Sequence, residues 1–266
     1  LWVQAGYTIG AVYNRTPAPA EHLARHVHAT AVATAQKVVE RADLILLTVP
    51  DDAIESVAKQ LAASHLAGKG VIHTSGAADK QVLSALAAQG AMTGSLHPAY
   101  PFADVEAAVQ GLAGATFALE AEDDTLVFWL TEMVQALNGV VLRIPPGGKA
   151  LYHAALVIAS NYAVTLYAAA ERLLLTLSED RAAVDGALNA LVGATVSNLR
   201  TQGIPDALTG PLVRGDVGTI ASHLTTLEEQ DEQLAKVYRD LARLTFPILQ
   251  ARGISTEAIE SLLDRK

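Results

Sequence analysis

The sequence contains no cysteine, which excludes both a disulfide framework and a thiolate metal site. Charged residues are few, 18% of 266 positions, and a chain so poor in charge and rich in apolar residues does not read as disordered. No basic run relieves the formal net charge of −9, so a phosphate backbone is an unsuitable partner. The eight scattered histidines do not amount to a metal signature. A long uninterrupted apolar run is also lacking. The longest stretch, 154–170, includes Ser160, Asn161 and Thr165 and falls short of the roughly 20 residues that cross a bilayer, so a helix buried inside protein is expected there. No signal-peptide pattern is visible, and a cytoplasmic location is expected. What is present is apolar residue in quantity, 51% of the chain, enough for a sizeable core and for some burial in an oligomer. At this length two domains are expected.

The first half alternates short apolar strands with helices. Strands are expected at Ile9–Tyr13, Leu44–Val49, Val71–His73, Met92–Leu96, Ala115–Leu119 and Val140–Ile144. Helices are expected at Glu21–His28, after Pro50 to about Ala63 with Asp51 or Asp52 as cap, at Lys80–Ala88 and at Asp124–Leu137. Continuous apolar strands between helices indicate a doubly wound parallel sheet of the Rossmann type, over residues 1–146. From Gly148 onward the pattern is helical only. The first of these helices, Lys149–Leu177, is apolar nearly all round and should be central and buried. Residues 147–266 are therefore expected to form an all-α domain. Leu1–Ala5 reads as the tail of a helix turning at Gly6, which suggests that a first strand and loop precede Leu1.

In doubly wound sheets, ligands sit at the carboxyl ends of the strands. Those ends carry Asn14-Arg15-Thr16, Thr48-Val49-Pro50, His73-Thr74-Ser75-Gly76 and His97-Pro98. An arginine rather than a carboxylate beside the second strand favours the 2′-phosphate of NADP over the free ribose of NAD. Asn14, Arg15, Thr16, Thr48, Val49 and Pro50 are thus the candidate cofactor-binding residues. The glycine-rich phosphate loop G-x-G-x-x-G does not occur in the sequence. Lys149 and His153 share one helix face at i, i+4, an ammonium and an imidazole able to bind an oxyanion or move a proton; an interdomain ion pair would use the same spacing. Ser75 and His97 are further candidates, and each could equally serve its own turn. Asn161, in apolar surroundings, needs hydrogen-bond partners, and Arg214 could reach an acidic substrate or clasp a helix end.

The segments SLHPAYPF, GGKALYHAALVIASNY and LTGPLVRGDVGTIASHL resemble a bacterial family of uncharacterised Rossmann-like NADP oxidoreductases with a domain of unknown function. The order of parts is similar to the 6-phosphogluconate dehydrogenase-like superfamily, which includes hydroxyisobutyrate dehydrogenase, ketopantoate reductase, pyrroline-carboxylate reductase and prephenate dehydrogenase. The resemblance implies a helical second domain of the 6-phosphogluconate dehydrogenase type and dimerisation through it. Lys149 aligns with the catalytic lysine of a Lys-x-x-x-Asn motif, whose Asn position is His153 here. His97-Pro98 resembles the His-Pro of prephenate dehydrogenases, with Ser75 near their substrate-binding serine, but the following glycine is replaced by Ala99. The expectation is hydride transfer between NADPH and a small carbonyl, imine or hydroxy acid bound between the domains. Lys149 or His97 would act as proton donor, with His153, Ser75, Asn161 and Arg214 positioning the substrate. The alternative is a non-catalytic NADP-binding sensor or a dimeric scaffold, which a missing phosphate loop would allow.

Overall fold

The computed structural model describes residues 1–264. The chain forms two compact units, the first spanning Leu1–Tyr162 and the second beginning at Ala163.

The first unit runs β1 (Ala11–Val12), α1 (Pro17–His26), β2 (Thr30–Ala31), α2 (Gln36–Val39), β3 (Leu44–Leu47), α3 (Asp51–Leu61) and β4 (Gly70–His73). A 3-10 turn over Lys80–Leu83 leads into α4 (Ser84–Ala87), then β5 (Met92–Pro98), α5 (Val105–Gly111), β6 (Thr116–Ala121), α6 (Asp124–Gln135), β7 (Val140–Arg143) and α7 (Lys149–Ala159). Strands β3 to β7 form one sheet in that order, and β1 and β2 form a separate parallel pair. Pairing is parallel except between β5 and β6.

Alternation along the strands sends side chains to two cores. Ile45, Leu47 and Val71 meet Ile54, Ala58 and Leu61 of α3 on one face. Ile72, Leu96, Phe117 and Leu119 meet Leu126, Leu130 and Val134 of α6 on the other. A sheet covered on both faces explains why its strands read as continuous apolar runs.

The second unit contains most of α8 (Asn161–Leu175), then α9 (Arg181–Thr201), α10 (Pro211–Arg214), α11 (Val217–Gln230), α12 (Glu232–Ala251) and α13 (Glu257–Leu263). Ile220, Leu224, Ala242, Leu249, Ile259 and Leu263 make its core. Asp180, Asp216 and Asp231 accept backbone N–H groups at the starts of α9, α11 and α12, and Asp123 does so for α6.

Several expectations change. The helix expected from Lys149 to Leu177 breaks at Ser160, and the compact first unit extends one helix past the composition change at Pro146. Only its start is buried, at Lys149 and Tyr152: α8 has no buried residue, and Val164 is 69% exposed. The stretch 149–175 is long and apolar enough to cross a membrane by length and composition. Asp51 and Asp52 do not cap α3. Pro50 holds the cap position without a side-chain bond, and Asp51 lies in the first turn, where its charge suits the helix dipole. Strand β5 continues through His97 and Pro98, because antiparallel pairing to Ala118 and Phe117 holds it extended. Helix α1 starts at Pro17, a residue already set to helical φ at a first position. Asn161 is exposed rather than buried.

Candidate active site

The site is assembled where β3, β4 and β5 end and α7 begins. His73 closes β4 and is fully buried; its Nδ1 accepts the Ser75 N–H at 3.2 Å. The Ser75 hydroxyl donates to Asp51 Oδ2 at 2.7 Å and accepts the N–H groups of Ala77 and Ala78 at 3.2 and 2.9 Å. Its hydrogen and lone pairs are thereby committed to protein partners. Ser75 thus builds the turn after β4 and fixes Asp51.

The Ser75 carbonyl accepts Lys149 Nζ at 2.7 Å. Lys149 is 0% exposed, and its ammonium lies 5.6 Å from the centroid of the Tyr152 ring. Burial pulls its pKa below the ordinary lysine value, while the charges of Glu120, Asp79 and Asp51 work in the opposite direction.

Gly76 follows Ser75, and a side chain there would meet two imidazoles. A Cβ would stand 2.9 Å from both His97 Nε2 and His153 Nδ1. The two rings therefore converge over the bare Cα of Gly76. His97 Nδ1 and the Tyr152 hydroxyl are 2.8 Å apart. Burial raises the Tyr152 pKa and keeps the phenol protonated. With the phenol as donor, the hydrogen of neutral His97 sits on Nε2, facing Gly76. His153 Nδ1 is buried and has no hydrogen-bond partner among the described residues.

Burial, followed by the Lys149 ammonium, lowers the pKa of both His73 and His97 to about 4. The folded values lie below the ordinary 6.5, so the unfolded chain takes up protons first as pH falls. Stability present above pH 6.5 is then lost between about 6.5 and 4, by on the order of 3 kcal/mol per histidine. Thermal unfolding at stepped pH checks this. His97→Gln flattens the decline, and an unchanged slope in that variant contradicts the assignment.

Of the residues expected from sequence, Ser75, His97, Lys149 and His153 come together here. Asn14 Oδ1 accepts the Thr16 N–H at 3.0 Å, making a tight turn after β1 with Arg15 exposed at its tip. Thr48, Val49 and Pro50 follow β3 as expected. Asn161 is exposed at the start of α8, and Arg214 is exposed in the second unit, ahead of the left-handed turn at Gly215. Four participants are not among the site residues chosen from sequence: Tyr152, His73 and Gly76, the last two named only as part of a strand end, and Asp51, named only as a helix cap. Tyr152 was legible, since Lys149, Tyr152 and His153 at i, i+3 and i+4 form one helix face. Gly76 was not, because its value lies in what packs over it.

A Rossmann-like domain model matches residues 2–98, and the domain of unknown function DUF2520 matches residues 115–245. The chain thus carries a Rossmann-like domain followed by a DUF2520 domain. Asp51, His73, Ser75, Gly76 and His97 belong to the first matched segment and Lys149, Tyr152 and His153 to the second, so both matched segments contribute to the site. No curated protein matches the sequence. Among solved structures, a Thermotoga maritima protein is 23% identical, with 92% of each chain covered and a TM-score of 0.76. A Bacteroides fragilis protein provisionally named an NADP oxidoreductase is 23% identical over 91% of this chain and 89% of that one, with a TM-score of 0.71. A reductive aminase from Aspergillus terreus, in complex with NADPH, is 18% identical over 98% and 85%, with a TM-score of 0.61. These similarities establish the fold of the DUF2520 protein.

Proposed function

We propose that this DUF2520 protein is an NADP-dependent oxidoreductase that transfers a hydride between NADPH and a small carbonyl, imine or hydroxy acid seated over Gly76. The observation that carries this reading is the fully buried Lys149 beside two imidazoles converging on one bare glycine, at the strand ends where doubly wound folds bind ligands. The NADPH complex of the reductive aminase and the NADP complex of a Plasmodium falciparum pyrroline carboxylate reductase support a nicotinamide cofactor on this fold.

The residues at the strand ends fit the adenosine and nicotinamide portions of such a cofactor. Exposed Arg15 suits a 2′-phosphate, and residues 48–50 suit the edge nearer the site. The sequence offers no G-x-G-x-x-G loop. When bound, the cofactor supplies the hydride. Lys149, with its ammonium pKa lowered by burial, gives up a proton to the developing alkoxide or amine. The Nε2–H of His97 points into the same space and orients the substrate heteroatom, with Tyr152 fixing the ring. His153 Nδ1 is a second orienting atom. Ser75 acts through its carbonyl, which holds Lys149 in place.

The assignment is tested by following NADPH oxidation against a panel of imines, ketones, aldehydes and hydroxy acids. Turnover restricted to none of these classes, with NADPH bound, would favour the sensor reading. For the cofactor, Arg15→Ala lowers NADPH affinity roughly tenfold or more while NADH affinity stays unchanged, since only the 2′-phosphate loses a charge-assisted bond. An equal loss for both nucleotides contradicts the role.

The proposal includes a cytoplasmic homodimer formed through the second unit. Val164 and Leu166 of α8 and Leu191, Val192, Val196 and Leu199 of α9 are exposed apolar side chains of one chain, more than a lone soluble unit ordinarily presents. Light scattering on the protein in aqueous buffer should give twice the chain mass. A monomer, or recovery only with lipid or detergent, overturns this part.

A further inference from the structure

Strands β4, β5 and β6 are in register at His73, Ser95 and Glu120. Residues paired across a sheet project from the same face, so three polar side chains stand in a row where the neighbouring strand positions are apolar. All three are buried, His73 and Ser95 completely and Glu120 to within 1%. Among the described residues, Ser95 Oγ and Glu120 Oε1 have no hydrogen-bond partner, and His73 Nε2 makes no hydrogen bond of normal geometry, the ring having only a weaker interaction with the Asp79 backbone. Asp79, whose charge acts on both His73 and Glu120, adds a fourth such atom, Oδ1. An unpartnered buried polar group is destabilising unless something bonds to it, and a polar cluster of this kind is where proteins hold internal water.

The row has two ends. At one, Glu120 lines a cleft of about 450 Å³ with Lys80, Glu122 and Arg143, and its Oε2 accepts the Lys80 N–H at 2.9 Å. At the other, the ring of His73 bonds the backbone of Ser75, whose carbonyl holds Lys149. Glu120 is the leading charge supporting the ammonium form of Lys149, and the Lys149 ammonium in turn helps keep His73 neutral.

We propose that this row, bridged by ordered water, is the path along which protons pass between the cleft and Lys149. A proton taken from solvent by the Glu120 carboxylate moves to a bridging water, which hands on one of its own past Ser95 and His73. The last bridging water gives a proton to the Lys149 amine and takes one from the water behind it, after the Lys149 proton has left with the product, so each turnover draws one proton from solvent. Glu120 is a relay residue here and touches no substrate. The proposal rests on the assignment of Lys149 as proton donor.

Its test needs neither cofactor nor substrate, so failure of the oxidoreductase reading would leave it decidable. Nitrogen-15 NMR reports exchange of the Lys149 ammonium hydrogens with water in the wild type, Glu120→Gln and Glu120→Asp. The relay predicts exchange at least tenfold slower in Glu120→Gln and near wild type in Glu120→Asp, with β4 and β5 amide exchange unaltered. A loosened structure would instead speed both. Unchanged or faster Lys149 exchange in Glu120→Gln overturns the proposal. Should that variant fail to fold, Ser95→Ala carries the same prediction of slower exchange and the same refutation.

Discussion

Replacing Lys149 with methionine lowers the maximal rate of NADPH-dependent reduction about a thousandfold and leaves NADPH affinity within about threefold, as expected when a positioned general acid is removed from a site that still binds. Methionine keeps most of the length and volume of the lysine stem, so the start of α7 stays packed against the turn after β4. What disappears is the ammonium and its 2.7 Å bond to the Ser75 carbonyl. Losing that donor costs about 1–3 kcal/mol of stability, and thermal unfolding measured beside the kinetics separates this from the chemical loss. Proportional losses in turnover and NADPH affinity would move Lys149 from catalysis to cofactor binding.

Gly76→Ala has the next largest expected effect, a loss of about a hundredfold or more in turnover. The new methyl would lie 2.9 Å from His97 Nε2 and from His153 Nδ1 and 3.1 Å from His97 Cε1. Neither ring can stay where it is. His97 is tied to the Tyr152 hydroxyl, so its retreat stretches or breaks that 2.8 Å bond. The cost in folding stability is about 1–3 kcal/mol, typical of overpacking, and is read by denaturant unfolding. Turnover equal to wild type would show that the space over Gly76 is not where the substrate sits.

The sheet was legible because strands buried on both faces are largely apolar, as β3 is throughout and as β4 and β6 are apart from His73, Thr116 and Glu120. The short β2, α2, α5 and α10 gave no such signal, since two to seven residues with mixed exposure set no period. The apolar helix of 149–175 was misread for a physical reason: apolar residues on every side argue for burial, but not for burial within the same chain. The break at Ser160 has no helix-breaking residue to announce it. At the site, Lys149 and His153 stood out by spacing and Ser75 and His97 by their place at strand ends. What sequence could not convey was orientation. The hydroxyl of Ser75 turns toward Asp51 and its carbonyl toward Lys149, reversing which part of the residue matters. The register that aligns His73, Ser95 and Glu120 depends on the antiparallel pairing of β5 with β6, which nothing in the strand sequences specifies.

The most direct measurement of the central claim is a fluorescence titration of the full-length protein with NADPH, with NADH alongside. The account predicts saturable binding of NADPH and binding of NADH at least tenfold weaker. Absence of binding by either nucleotide would contradict it, leaving a Rossmann-like fold that serves as a scaffold.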